Sequence, residues 1–384
     1  MKKAITVEET IWLGLDVHKK TIVACWLLGD QEEVRQFPNT PGEVKRLLKQ
    51  LGRRGTVRAC YEAGPCGYEI RRQLEGMGVS CAVIAPSLIP KRAGDRVKTD
   101  RRDAQNLARL YRAGELTEIR VPTEAEESVR DLVRCREDAT EDRLRAWHRL
   151  IKFLLRYGRI WTQSRNGTKR HWAWLRVQRF DDPRQQRTYE EYLAQVDFFV
   201  ERLRNLDQEI AEVASEEPWR ALVDRLKCLR GISTLSALTL VVEIGDFRRF
   251  KPRELSAFVG LVPSLYSSGD TKRPGGITKA GNSHVRRILI EAAHHARHRP
   301  QLPSLVRRRT AGQPESVHEL VVKAQHRLHL KFVRLRGRGK NTSVAVTAIA
   351  RELLGFIWAL MVEAPETSAS RGKKVFVLTG RTAA

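Results

Sequence analysis

Cysteine is sparse and unpatterned in this chain. Cys25, Cys60, Cys66, Cys81, Cys135 and Cys228 are scattered over 384 residues. No C-x-x-C spacing occurs, so neither a zinc ribbon nor a disulfide framework is suggested. A reducing cytoplasm fits this usage. Long apolar runs are missing as well. The longest near the end, Leu353 to Val362, falls short of the roughly 20 residues a spanning helix needs, and reads as a buried helix. The N-terminus carries no signal-peptide pattern. No G-x-x-x-x-G-K-S/T loop is present, so nothing points to ATP-driven chemistry. Acidic residues are the remaining shortage: 45 Asp and Glu stand against 70 Lys and Arg, for a net charge of +25 and a pI near 10.3.

That excess favours a polyanionic partner, nucleic acid above all. It is uneven. Between Arg248 and Lys340 there are 21 Lys and Arg against 5 Asp and Glu, a local charge of +16. A soluble basic surface would look similar, so the charge indicates a partner and leaves the reaction open. The length suffices for two or three domains with a sizeable core.

Hydrophobic pattern orders the N-terminal third. Ile11 to Val17 reads as a buried strand, Thr21 to Leu28 as a second and Val34 to Phe37 as a third. Pro41 to Leu51 has helical spacing. Val57 to Tyr61 is a strand ending at Glu62, Ala63-Gly64-Pro65 breaks it, and a helix follows to about Met77. Val79 to Ile84 is another strand, closed by Pro86. Hairpin-like strands followed by alternating strand and helix indicate an α/β domain.

The acidic residues fall where such a domain places a site. Asp16 and Glu62 sit at strand ends. Asp100 and Asp103 lie three apart at a helix start, on one face. Four converging carboxylates suit one or two Mg²⁺ ions, because hard cations take oxygen ligands. Taken singly, Asp100 reads as a helix cap and Glu62 as a solvated strand end. The set, with two members at strand ends, favours a metal site.

Three segments carry a resemblance. G-L-D-V-H-K-K (14–20), Y-E-A-G-P-C-G-Y (61–68) and K-T-D-R-R-D-A (98–104) resemble the resolvase-like DEDD domain of an insertion-sequence transposase family, the serine recombinases guided by a bridge RNA. I-A-P-S-L-I, before the last acidic pair, follows the same pattern. The resemblance implies a ribonuclease H-like fold and an acidic tetrad on Asp16, Glu62, Asp100 and Asp103.

Beyond it, Glu124 to about Tyr157 reads as a long helix rich in Arg and Glu. A basic, aromatic insert follows (158–187), with Trp161, Trp172 and Trp174 beside Arg165, Lys169 and Arg170. Such a mixture can stack on unpaired bases, or its tryptophans can pack on neighbouring helices. Thr188 to Leu229 is again helical, with the apolar spacing of a helical hairpin or coiled-coil arm. In the resembled family such an arm supports oligomerisation, and packing within one chain fits equally.

The last third resembles the family's C-terminal transposase domain from Leu229 to about Ala293, through L-R-G-I-S and L-S-A-F-V-G-L-V-P (255–263). Tyr266 to Asn282 packs hydroxyls, glycines and basic side chains into a loop between two helical stretches. The family pattern, Tyr, any residue, Ser, Gly, places the nucleophile on Ser268. From the residues alone Ser267 and Tyr266 stay open, and a serine before glycine is usually turn chemistry. Lys272, Arg273, Lys279, Arg286 and Arg287 are the candidates for nucleic-acid contact and phosphate neutralisation, with solvated surface cations as the plainer reading. Gly275, Gly276 and Gly281 would let backbone approach a strand. His294 and His298 would share a helical face, which makes a metal site conceivable; histidines lining a nucleic-acid groove fit better. Arg307 to Arg309 and Lys331 to Lys340 are basic runs. Thr342 to Val362 reads as a final helix, followed by a disordered tail in which Val375 to Leu378 could form a short strand.

The expected architecture is α/β plus all-α. Residues 1–122 would form the ribonuclease H-like, resolvase-like DEDD domain. Residues 123–225 would form the helical coiled-coil arm, 226–363 a mainly helical transposase domain carrying the serine, and 364–384 the tail. The resemblance implies RNA-guided strand exchange between donor and target DNA. Ser268 would form a covalent phosphoserine link, Mg²⁺ would sit at the acidic tetrad, and the protein would be a cytoplasmic, nucleoid-associated homo-oligomer, dimer or tetramer, without a membrane partner. The two halves of the site would then serve one phosphodiester. Two other readings are a Holliday-junction-type metal-dependent nuclease without a covalent intermediate, and a non-catalytic nucleic-acid-binding protein.

Overall fold

The computed structural model describes residues 9–90, 99–268, 271–301 and 303–363, with the backbone path alone for 266–268 and 271–274. The tail expected at 364–384 lies outside the described residues, as do Lys98 and Gly269. The chain divides into two compact units between Val121 and Pro122.

The first unit runs β1 (Thr10–Val17), β2 (Thr21–Leu28), β3 (Gln31–Pro38), α1 (Pro41–Gly52), β4 (Thr56–Glu62), α2 (Glu69–Gly76), β5 (Ser80–Ile84) and α3 (Asp100–Ala113). Its five strands pair in the order β3-β2-β1-β4-β5. β1 is parallel to β4, and β4 to β5, while β2 runs antiparallel to both β1 and β3. Alternation along β1 sends Ile11, Leu13 and Leu15 to one face, where they pack with Val44, Leu47 and Leu51 of α1 and Leu74 of α2. Trp12, Gly14 and Asp16 take the opposite face, which α3 covers with Ala104 and Ala108.

The contact at Gly14 is backbone to backbone. A Cβ there would stand 2.5 Å from both the Ala104 oxygen and the Ala108 nitrogen. Nothing larger than glycine fits unless α3 moves. Trp12 closes the far end of this seam, edge-on to Tyr111 at 5.3 Å. Arg109 adds a bidentate salt bridge to Glu32 on β3, Nε donating to Oε2 at 2.9 Å and Nη2 to Oε1 at 3.0 Å.

The second unit begins with α4 (Glu124–Arg156), started by a reciprocal cap between Thr123 and Glu126. There follow α5 (Lys169–Arg176), α6 (Pro183–Val213), α7 (Trp219–Leu226), α8 (Thr234–Ile244), α9 (Pro252–Phe258), β6 (Pro263–Ser268), β7 (Thr271–Ile277), α10 (Ser283–Ala293), α11 (Ser304–Thr310), α12 (Glu315–Gly337) and α13 (Thr342–Val362). α4 and α6 pack antiparallel within the chain. Arg136 meets Asp207 at 2.9 Å near one end, and Phe153 lies against Tyr189 near the other.

Three expectations need correction. The helix expected over Thr188 to Leu229 is two helices, interrupted at 214–218, where Pro218 has no N–H to continue the ladder. The segment expected as a loop from Tyr266 is a β-hairpin, with Ser268 opposite Thr271. The helix expected to carry both His294 and His298 ends at Ala293; a tight 3₁₀ turn over His294–Arg297 and an extended His298 follow.

α13 is long and apolar enough, by length and composition, to cross a membrane. Here Ala345, Val346, Ile349, Leu353, Leu354 and Ile357 are buried in the core of the second unit. The insert's tryptophans also face inward. Trp161 and Trp174 stack on buried His171 at 5.4 and 5.7 Å, and Trp172 leans on Trp147 at 5.5 Å. Packing is thus what these rings do, while Arg165, Lys169 and Arg170 stay exposed.

One buried charge organises the second unit. The Glu243 side chain, on α8, is 1% exposed. It accepts from Arg134 Nε at 2.7 Å and Nη2 at 3.0 Å, and from Asn282 Nδ2 at 2.7 Å. Burial pushes its carboxyl up; the hydrogen bonds from Arg134 and Asn282, with the charges of Arg134 and Arg130, outweigh that and hold it below the ordinary value.

Two outcomes follow. Gly14→Ala should lower the stability of the first unit by roughly 1–3 kcal/mol, the range for overpacking a tight contact, read as a shifted urea midpoint. Glu243→Gln should cost roughly 3 kcal/mol, the low end for a broken buried pair because Arg134 reaches solvent. A depressed carboxyl contributes stability that is present above its unfolded value, near 4.5, and lost as pH falls through the folded one. Wild-type stability should therefore fall more steeply than that of Glu243→Gln in acid titrations below that pH.

Candidate active site

Asp16 and Glu62 end adjacent parallel strands. Leu15 pairs with Tyr61, so the next residue on each strand is a carboxylate. Both carboxylates are on the α3 face, Asp16 by alternation from Gly14 and Glu62 by alternation from Cys60, whose Sγ lies 3.7 Å from the Leu107 oxygen of α3. The first turn of α3 carries Asp100 and Asp103, Asp100 within 4.8 Å of Asp16 and both close enough to repel its carboxylate.

Asp100 is not the helix cap. Thr99 holds that position, extended, with its hydroxyl accepting from Arg102 N. The cap is met one residue earlier, and the Asp100 carboxylate turns toward Asp16. His18 lies between them. Its Nε2 is 3.2 Å from Asp16 Oδ2 and 3.5 Å from Asp100 Oδ2. Ligand atoms of Asp16, His18 and Asp100 all fall within 4.8 Å of one another, the only such group among the described residues. Glu62 and Asp103 are not part of this tightest group. Burial pushes the Asp16 carboxyl above its ordinary value; His18 opposes this, while Asp100 and Asp103 add repulsion. Clustered carboxylates that repel one another, beside an imidazole, are a donor set that fits a divalent cation.

Sequence reasoning did not single out His18. The available signal was its place two residues after Asp16, where strand alternation keeps it on the same side.

The second candidate region is the β6–β7 hairpin. Ser268 ends β6 at the hairpin tip. The side chains of Tyr266, Ser267, Ser268, Lys272 and Arg273 lie outside the described residues. The hairpin's base is tied down. Thr278 N donates to the Val262 oxygen at 2.9 Å, and Lys279 N to the Gly260 oxygen at 3.1 Å. Lys279 is exposed and takes φ +55°, the one described non-glycine residue in the left-handed region. Gly281, at φ +117°, sits so close that a Cβ would stand 2.0 Å from the Phe258 oxygen. Its smallness serves this internal contact. Asn282 then caps α10 through Val285 N while binding Glu243.

The remaining candidate cations are largely engaged. Arg286 donates to the Val259 oxygen at 2.9 Å. Arg287 pairs with Glu137 at 3.0 Å and Glu291 at 3.2 Å, and His284 takes the other Glu137 oxygen at 2.7 Å. His295 touches His298 at 6.2 Å between ring centres.

Below the hairpin opens a cleft of about 700 Å³. Gly276 and Ile277 of β7, Arg253 of α9, Lys331 of α12 and Arg351 of α13 line it. Glu352 neutralises Arg327 and Lys331. Arg253 and Arg351 have no ion-pair partner among the described residues, and sequence reasoning had named neither.

Comparison with known proteins places these regions. Residues 13–158 match the DEDD transposase model of the IS110 type. Residues 223–307 match the model described as transposase of the IS116/IS110/IS902 family. The chain is 40% identical over 373 residues to a putative transposase, y4qE, of Sinorhizobium fredii, covering 96% of this chain and 92% of the relative. It is 34% identical over 346 residues to the transposase for insertion sequence element IS1533 of Leptospira borgpetersenii, covering 87% and 99%. Strand-end carboxylates, a capped α3 and the hairpin all fall within the matched regions, and the chain belongs to the IS116/IS110/IS902 family of insertion-sequence transposases.

Proposed function

We propose that this transposase performs RNA-guided exchange between donor and target DNA, with Ser268 as nucleophile and Asp16, Glu62, Asp100 and Asp103 as the metal-holding carboxylates. The observation that carries the reading is the convergence of Asp16 and Asp100 at the mouth of the β1–α3 seam, with Glu62 on the neighbouring strand end. The strand order, with only β2 reversed, supports a ribonuclease H-like first unit. A bound Mg²⁺ would supply charge neutralisation at a phosphate oxygen.

The Ser268 oxygen attacks phosphorus, and the P–O bond to the leaving deoxyribose oxygen breaks. The phosphate is then held as a serine ester, and the proton lost by the serine hydroxyl is balanced by the one the leaving oxygen takes up. Attack by a second DNA hydroxyl reverses the step and restores the serine, so bond energy is conserved through both transesterifications. The hairpin that carries Ser268 is anchored at Val262 and Gly260 and, through Asn282, at Glu243. Base pairing of an element-encoded bridge RNA selects the DNA, and the protein contributes backbone contacts, the division of labour known for RNA-guided effectors. The working form is a homo-oligomer, dimer or tetramer, acting at the nucleoid.

The test is a search for a denaturation-resistant protein–DNA adduct, using protein purified with its RNA, donor DNA and Mg²⁺. An adduct mapped to Ser268, absent in Ser268→Ala and in Asp16→Asn, is the expected result. DNA cleaved without an adduct, and still cleaved by Ser268→Ala, would favour a metal-dependent nuclease. Restored activity in a mixture of Ser268→Ala and Asp16→Asn chains is expected if different subunits supply the two sets of residues.

Arg253 and Arg351 are expected to meet phosphates. The double Ala variant should weaken binding to DNA and RNA with little sequence dependence. It should also flatten the log K against log salt slope by roughly 1–2, about one unit per lost contact.

A further inference from the structure

We infer that His18 is itself a ligand of the metal held at Asp16 and Asp100, making the centre a mixed nitrogen–oxygen site. The inference rests on the reading that these carboxylates hold a divalent cation, and adds a residue outside the acidic tetrad.

Three observations carry it. First, the spacing is that of neighbouring ligands. Donors roughly 2.1 Å from one ion and at right angles are about 3 Å apart, and slightly more in a tetrahedral arrangement. His18 Nε2 stands 3.2 Å from one carboxylate oxygen and 3.5 Å from the other. Second, the ring is placed by its backbone. His18 N donates to the Thr21 oxygen at 2.9 Å, closing the β1–β2 turn, and Asn39 Nδ2 donates to the His18 oxygen at 2.8 Å. Third, the side chain is half exposed, at 49%, yet its Nε2 is aimed at both carboxylates. A tautomer protonated at Nδ1 would leave the Nε2 lone pair for the ion.

The chemical consequence is selectivity. Carboxylate and water suit Mg²⁺, whereas an imidazole nitrogen raises affinity for first-row transition ions. His18 therefore shifts this centre's preference away from Mg²⁺ and toward ions that accept imidazole, Zn²⁺ and Fe²⁺ more than Mn²⁺.

The experiment uses the full chain and Mn²⁺ as the probe, with electron spin-echo modulation as the readout. Bound Mn²⁺ should show ¹⁴N modulation from a directly ligated imidazole, and His18→Ala should abolish it. Titration should show Mn²⁺ affinity falling about tenfold or more in His18→Ala, the scale of losses at metal sites, while Mg²⁺ affinity changes much less. His18→Asn, with its similar hydrogen-bonding shape, replaces His18→Ala should that variant not fold. Bound Mn²⁺ without nitrogen modulation, or modulation that survives the loss of His18, would overturn the inference and leave the carboxylate reading intact. Mn²⁺ binding unchanged in Asp16→Asn would overturn both.

Discussion

The first unit depends on one close approach, the α3 backbone against Gly14. A helix over a sheet ordinarily keeps its distance through side chains. Here Gly14, Ala104 and Ala108 together remove them, and the helix backbone comes down onto β1. That contact lies two residues before Asp16 on the strand and four after Asp100 on the helix. The spacing of the acidic cluster is therefore set by packing, because carboxylates that repel one another would not gather on their own. Burial raises the Asp16 carboxyl first, and repulsion from the crowded Asp100 and Asp103 adds to it.

The second unit solves a related problem with a charge in place of a glycine. Glu243 is buried at the end of α8 and joins residues from α4 and from the junction between the hairpin and α10. A buried ion pair is weak evidence for stability, but removing one partner leaves the other uncompensated. Such a pair favours one arrangement of three elements over near alternatives. Because Asn282 is both the α10 cap and a Glu243 ligand, the hairpin's exit is fixed by the same group that fixes the helix packing.

Much of the first unit was legible because most of its strands are short apolar runs, several of them bounded by breakers such as Ala63-Gly64-Pro65 and Pro86. β2 and α1 could be delimited almost to the residue. What was not legible depends on contacts distant in sequence or on competition between neighbours. Thr99 and Asp100 are both good caps, and only the fold shows that Thr99 serves. His18 reads as one more polar residue in a basic turn until α3 brings Asp100 beside it. The Tyr266 segment has too many glycines and polar residues for a strand pattern, and its pairing partner lies across the turn. The break at Pro218 was visible in principle, but the helical spacing on both sides masked it. The His294 cluster rested on helical continuation through a stretch with no stop signal of its own.

The net charge of +25 illustrates how composition can be right about class and silent about place. Many of the arginines that produce it serve the fold. Arg130 donates to the Val242 carbonyl, Arg225 to Leu360, Arg286 to Val259, and Arg309 to both Lys227 and Ile232. Each ties a backbone acceptor to a residue distant in sequence, for which a long, forked donor is well suited. Such residues add to the long-range field that attracts a polyanion but are committed at short range. The cations available to a phosphate are those the fold leaves unmatched. Among the described residues lining the cleft under the hairpin, Arg253 and Arg351 have no ion-pair partner, while Glu352 holds Arg327 and Lys331. The distinction between field and contact cannot be made by counting charges along a chain, because it depends on which carboxylates and carbonyls folding brings within reach.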